Sequence, residues 1–109
     1  MYQVRMYSLK TPEAASEYFN IHWKRHVESL KKFNIQTIAV FKEVKEEGVT
    51  HVIALCKYEK GADVQAVNKA FMDSPDFMED MKGFDFIKMS EMPTDYTLQI
   101  DDYITERSF

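Results

Sequence analysis

Thr50-His51-Val52-Ile53-Ala54-Leu55-Cys56-Lys57-Tyr58 is a β-rich stretch whose middle, Val52 to Cys56, is apolar without interruption. A strand with one wet face alternates apolar and polar side chains. This one presents apolar groups to both sides, so both of its faces need cover. Just upstream, Lys45-Glu46-Glu47-Gly48 is a short polar connection with Gly where a positive φ is needed. Before it, Gln36 to Val44 sets Ile38, Val40 and Val44 against Thr37, Ala39 and Phe41. The two runs read as a β-hairpin.

Toward the N-terminus, Tyr2 to Leu9 alternates, with Tyr2, Val4, Met6 and Ser8 on one face and Gln3, Arg5, Tyr7 and Leu9 on the other. Thr11-Pro12-Glu13 then starts a helix, with Thr11 as N-cap and Pro at the first helical position. From Pro12 to about Phe33 the period is helical. At about 100° per residue, Ala15, Phe19, Trp23, His26, Leu30 and Phe33 form one stripe, flanked by Tyr18 and His22. Asn34, which tolerates the left-handed conformation, is the predicted stop. Toward the C-terminus, Glu59-Lys60-Gly61 reads as a turn and Ala62 to Met72 as a second helix. Ser74-Pro75 restarts a helix, with Phe77, Met81 and Phe84 at helical spacing and an expected end near Ile87 despite Gly83. Pro93-Thr94-Asp95 reads as a turn and Tyr96 to Ile100 as the last strand. The tail from Asp101 is polar and expected to fray unless Tyr103, Ile104 and Phe109 dock.

The resulting order, βαββαβ with the second helix in two pieces, is the α+β ferredoxin-like arrangement. A chain of 109 residues accommodates it as one domain, 1–109. Right-handed crossovers place both helices on the same face of a four-stranded antiparallel sheet and leave the other face bare. A bare face carrying the apolar side chains of 52–56 exceeds what a soluble monomer normally shows. The simplest remedy is an isologous homodimer, two sheets closing into an α/β barrel with the helices outside.

Composition excludes several classes. The net charge of −4 is spread along the chain, and the basic pairs Lys24-Arg25 and Lys31-Lys32 have acidic neighbours, so no nucleic-acid partner is expected. No apolar run approaches the about 18 residues of a membrane span, and the N-terminus lacks a signal-peptide layout, so no membrane partner is expected and a cytoplasmic location is. The single cysteine, Cys56, has no partner for an intrachain disulfide and reads as a small buried hydrophobe. Six Tyr, eight Phe, one Trp and seven Met are many for this length, and such side chains fill a core or line a pocket. With three scattered Gly there is no phosphate-cradling loop, and no serine or cysteine sits in an activating context.

Tyr2-Gln3-Val4-Arg5-Met6-Tyr7-Ser8-Leu9-Lys10 resembles the opening strand of NIPSNAP-domain proteins, a Tyr-x-x-Arg-x-Tyr-x-Leu pattern. Leu30 to Asn34, the apolar strand ending in Tyr58, and Asp73-Ser74-Pro75-Asp76-Phe77 follow in the family's order. The resemblance implies a dimeric α/β barrel related to antibiotic-biosynthesis-type monooxygenases and haem-degrading proteins. It implies little about chemistry, because the family's activity is not well defined.

His22 and His26, four residues apart, share a helix face and are the candidate catalytic pair. A metal would need further ligands, with His51 or a carboxylate brought close, and no His-Glu-x-x-His pattern exists, so no metal is expected. The plain alternative makes His26 a core histidine bonded to a carbonyl or Tyr and leaves His22 half exposed. Arg5 and Tyr7, together with Phe19 and Trp23 beside the histidines, are the candidate ligand-binding residues. A charged Arg5 aimed at the covered side of a sheet requires a partner, from the chain or from a ligand. Two functions fit. One is a homodimer that binds a small apolar or aromatic molecule, or a protein partner. The other is a cofactor-independent monooxygenase or isomerase with a helix histidine as base, with haem degradation as a branch of it. No cofactor is expected for either main reading.

Overall fold

The computed structural model of the protein describes residues 1–98. Strand β1 (Tyr2–Leu9) leads into helix α1 (Pro12–Glu17), a π-helical turn (Tyr18–His22) and helix α2 (Trp23–Lys31). The hairpin of β2 (Gln36–Lys42) and β3 (Thr50–Lys57) follows. Helices α3 (Val64–Met72) and α4 (Pro75–Asp80), a 3₁₀ turn (Phe86–Lys88) and β4 (Thr94–Leu98) complete the order. The sheet is antiparallel with strand order β2-β3-β1-β4, so the first and third strands lie in the middle.

Local chemistry sets the boundaries. The Thr11 hydroxyl accepts from the Ala14 amide at 3.1 Å, and Ser74 accepts from the Phe77 amide at 3.2 Å, each just before a proline. Asn34 stops the first helical segment at φ 60°, and Gly48 turns the hairpin at φ 82°. The third helix ends at Asp80, not near Ile87. Gly83 stands at φ 90°, which breaks the helical path before Phe84 can extend it. Thr94 and Asp95 belong to β4 and not to a turn, Tyr96 to Leu98 continue it, and the expected strand residues Gln99 and Ile100 and the tail lie outside the described residues.

The first helix is not continuous. A π turn holds one more residue per turn than an α-helix, so residues before it rotate by nearly one position relative to those after it. That rotation buries Tyr18, at 3% exposure, and leaves Phe19 half-buried, the reverse of the uninterrupted stripe. It also buries His22, at 1%, which only the plain alternative leaves half exposed.

The core lies between the helices and one sheet face. Tyr7 and Leu9 of β1 and Val52, Ala54 and Cys56 of β3 meet Ala15, Trp23, Leu30, Val64 and Phe71 from the helices. Each large side chain so buried contributes about 1.5–3 kcal/mol before conformational entropy is subtracted. On the other sheet face the registers place Val4, Leu55, Ala39 and Tyr96 together, with Met6, Ile53 and Phe41 beside them. Phe41, Tyr96 and Leu98 remain exposed there. The expectation of a covered and a bare apolar face describes this sheet.

Ser74 both caps α4 and donates to the Phe71 carbonyl at 2.5 Å, joining α3 to α4. Ser74→Ala is expected to cost about 1 kcal/mol, read as a lower urea midpoint with an unchanged m-value.

Candidate functional site

A cavity of about 260 Å³ opens between the helices and the β1–β4 side of the sheet. Its size is just under the about 300–1,000 Å³ of drug-sized sites, so it suits one or two aromatic rings and not a haem macrocycle. Arg5 and Tyr7 enter it from β1, Tyr18 from the π turn and His26 from α2. Asn68, Phe71 and Met72 come from α3 and Phe77 from α4. Met81, Phe86, Met89 and Met92 complete an apolar wall, with Pro93 and the exposed Asp95 toward the β4 side.

His26 is set by three elements. Its Nδ1 lies 2.8 Å from Asp80 Oδ2, and the other Asp80 oxygen accepts from Ser29 Oγ at 2.9 Å. All three residues are buried. A carboxylate only accepts, so Nδ1 carries the proton and the neutral ring keeps its lone pair on Nε2. That nitrogen has no hydrogen-bond partner among the described residues. The ring stacks on Phe77 with centroids 5.7 Å apart and meets the edges or faces of Trp23 and Phe71 at 5.2 and 5.3 Å. Burial pushes the imidazole below its ordinary value, against the opposing pull of Asp80, so it is neutral near pH 7. An oriented, neutral imidazole on an apolar cavity wall is the arrangement of a general base.

His22 serves a different purpose. Its Nδ1 donates to the Asp80 carbonyl at 2.8 Å, and its Nε2 lies 3.1 Å from Glu17 Oε2. Glu17 also takes Lys88 Nζ at 2.6 Å, a bond that holds its carboxyl below the usual range. Both ring nitrogens of His22 are therefore engaged, and the side chain does not line the cavity. His22 and His26 meet on one residue, Asp80, but through its carbonyl and its carboxylate respectively. His51 pairs with Glu43 at 2.9 Å on the β2–β3 hairpin. Among the described residues, no group of three or more His, Cys, Asp or Glu is placed to hold a metal ion.

Arg5 is held by neutral groups. Its Nε donates to Gln3 Oε1 at 2.8 Å, and one terminal nitrogen donates to Tyr58 Oη at 2.7 Å and to Asn68 Oδ1. Asn68 Nδ2 returns a bond to Gln3 Oε1 at 2.9 Å, and Tyr58 Oη reaches the same oxygen at 3.1 Å. Burial pushes the Tyr7, Tyr18 and Tyr58 phenols up, so all three are neutral. Trp23 backs the site, its ring 6.0 Å from Tyr7, and neither it nor Phe19 lines the cavity. Asp80, Asn68 and Gln3 were not singled out from the sequence, although a signal existed. Asp80 falls three residues after Phe77 and four before Phe84, and Asn68 four after Val64 and three before Phe71. Each is a polar residue on an apolar helix face, which demands a partner.

The sign of the His26 linkage follows from its direction. The folded value lies below the unfolded value of 6.5, so the unfolded chain takes the proton first as pH falls. The contribution is complete above about 6.5 and is lost as pH drops through the folded value. Histidine-resolved NMR is expected to give His26 a midpoint below 6.5. His26→Gln is expected to lose less stability than the wild type between about pH 7 and about pH 5.

The chain matches the NIPSNAP family over residues 2–99. No curated protein matches it. Among solved structures, a protein from Agrobacterium tumefaciens is similar at 13% identity, covering 95% of this chain and 96% of that one, with a TM-score of 0.69. A NIPSNAP domain protein from Burkholderia xenovorans shares 10% identity over 95% and 99% of the two chains, with a TM-score of 0.62. An antibiotic biosynthesis monooxygenase shares 13% identity over 93% and 99%, with a TM-score of 0.56. These likenesses extend to the fold, the four-stranded antiparallel sheet with its helices. The family match spans nearly the whole chain, from the first strand through the last, and the chain is a member of the NIPSNAP family.

Proposed function

We propose that the chain works as a homodimer that binds a small apolar or aromatic molecule in the cavity between its helices and β1. The carrying observation is the cavity itself: about 260 Å³, walled by Phe and Met, with two fixed polar groups, Arg5 and His26, on its lining. A largely apolar concavity with a few oriented polar groups is the usual form of a small-molecule site. The bare sheet face supports the dimer. Val4, Met6, Ile53, Leu55 and Phe41 make a contiguous apolar surface, and a twofold copy of the same face covers it without a further partner. The reading needs no nucleic acid and no membrane, and no helix among the described residues is long and apolar enough to cross one. The buried free thiol of Cys56 is consistent with a cytoplasmic compartment.

A second reading, favoured by the Asp80–His26 pair, is that the site also catalyses a cofactor-independent isomerisation or oxygenation. His26 Nε2 would take a proton from the bound molecule. Asp80 would hold the ring in the productive tautomer and stabilise the imidazolium that forms. Exchange of a bound ligand's acidic C–H with deuterated solvent, lost in His26→Gln while binding persists, is the expected signature.

Sedimentation at micromolar concentration is expected to show a dimer for the wild type and a monomer for Ile53→Glu; a monomeric wild type rejects the dimer. A thermal-shift screen of one- and two-ring aromatic compounds is expected to find stabilisers, a ligand at about 100 times its Kd adding about 2.7 kcal/mol. Filling the cavity with Met89→Trp is expected to abolish the shift. A screen without a hit, or a shift untouched by that substitution, rejects the ligand site.

A further inference from the structure

We propose that the molecule bound in this cavity is a planar, mostly apolar anion, and that the Arg5 guanidinium holds its charged oxygen; the inference rests on the cavity being a ligand site. Arg5 is a permanent cation with five donors. Three of its bonds go to Gln3, Tyr58 and Asn68, all uncharged. The Tyr7 phenol, also neutral, lies beside the guanidinium, so every group that the described residues bring to it is uncharged. The carboxylates near the site are either committed or exposed. Asp80 is taken by His26 and Ser29, and Glu17 by Lys88 and His22. Asp95, opposite Arg5 on β4, reaches the cavity lining but is exposed and makes no ion pair with Arg5.

A half-buried cation among neutral groups bears a desolvation penalty with no opposite charge to offset it. Gln3 at 2% exposure and Tyr58 at 3% are fixed in the interior, so the guanidinium is oriented before any ligand arrives. Most of the remaining wall, Phe71, Phe77, Met81 and Phe86 among it, offers apolar contact, with the neutral Tyr7, Tyr18 and Asn68 beside Arg5 and the carboxylate of Asp95 at the exposed rim. One cationic pole in an apolar chamber selects a flat carbon skeleton ending in a carboxylate or enolate oxygen. His26, neutral on the same wall, adds no competing charge.

The test compares 2-naphthoate with 2-naphthamide, which share a shape but differ in charge, by calorimetry and thermal shift. The acid is expected to bind the wild type at least tenfold more tightly than the amide. Arg5→Gln is expected to erase that preference and Arg5→Lys to keep part of it. Equal binding of acid and amide to the wild type overturns the proposal and leaves the ligand site standing, and so does a preference that survives in Arg5→Gln. Binding of neither compound overturns both. The wild-type comparison decides even if the Arg5 variants fail to fold.

Discussion

One buried carboxylate residue ties the helical layer together. Asp80 stands at the end of α4, where backbone carbonyls lack intrahelical partners. Its carbonyl accepts from His22 Nδ1 and from the Arg25 guanidinium at 3.1 Å, while its side chain takes His26 and Ser29. Through that single residue α4 is bound to the π turn by His22 and to α2 by Arg25, His26 and Ser29. A carboxylate left inside without donors would cost several kcal/mol, so the buried side chain depends on its two bonds from His26 and Ser29. The position of the cavity follows, because α4 supplies Phe77 and α2 supplies His26 to its wall.

The strand pattern was legible from sequence because it is a property of period two. Alternation in Tyr2 to Leu9 predicted which side chains face the helices, and Gln3, Tyr7 and Leu9 are buried there. The uninterrupted apolar run at 52–56 revealed that the second face is apolar as well. Helix starts were legible too, since Thr11-Pro12 and Ser74-Pro75 state the N-cap chemistry in adjacent letters.

The site was only half legible. Arg5, Tyr7 and His26 do reach the cavity, while Phe19, Trp23 and His22 lie beside or behind it. The cause is the π turn at Tyr18–His22, which no residue type marks in a single sequence and which shifts the buried stripe by about one position. A wheel drawn at a constant angle places Phe19 where Tyr18 belongs. The pairing of His26 with Asp80 spans 54 residues of chain, so no local period connects them. Only the incongruity of an acidic residue on the Phe77–Phe84 face hints at it.

Four of the seven methionines, Met72, Met81, Met89 and Met92, stand on the cavity wall. Unbranched thioethers rearrange at little cost, so this wall imposes a volume more than an outline. The polar side is the opposite, with Arg5 and His26 braced by interior hydrogen bonds. Under the proposed ligand reading, discrimination is divided within one chamber: the stiff end reads functional groups, and the soft end tolerates differences in ring fusion or alkyl branching. A chamber of this kind suits a set of chemically related molecules of varied contour better than a single rigid shape.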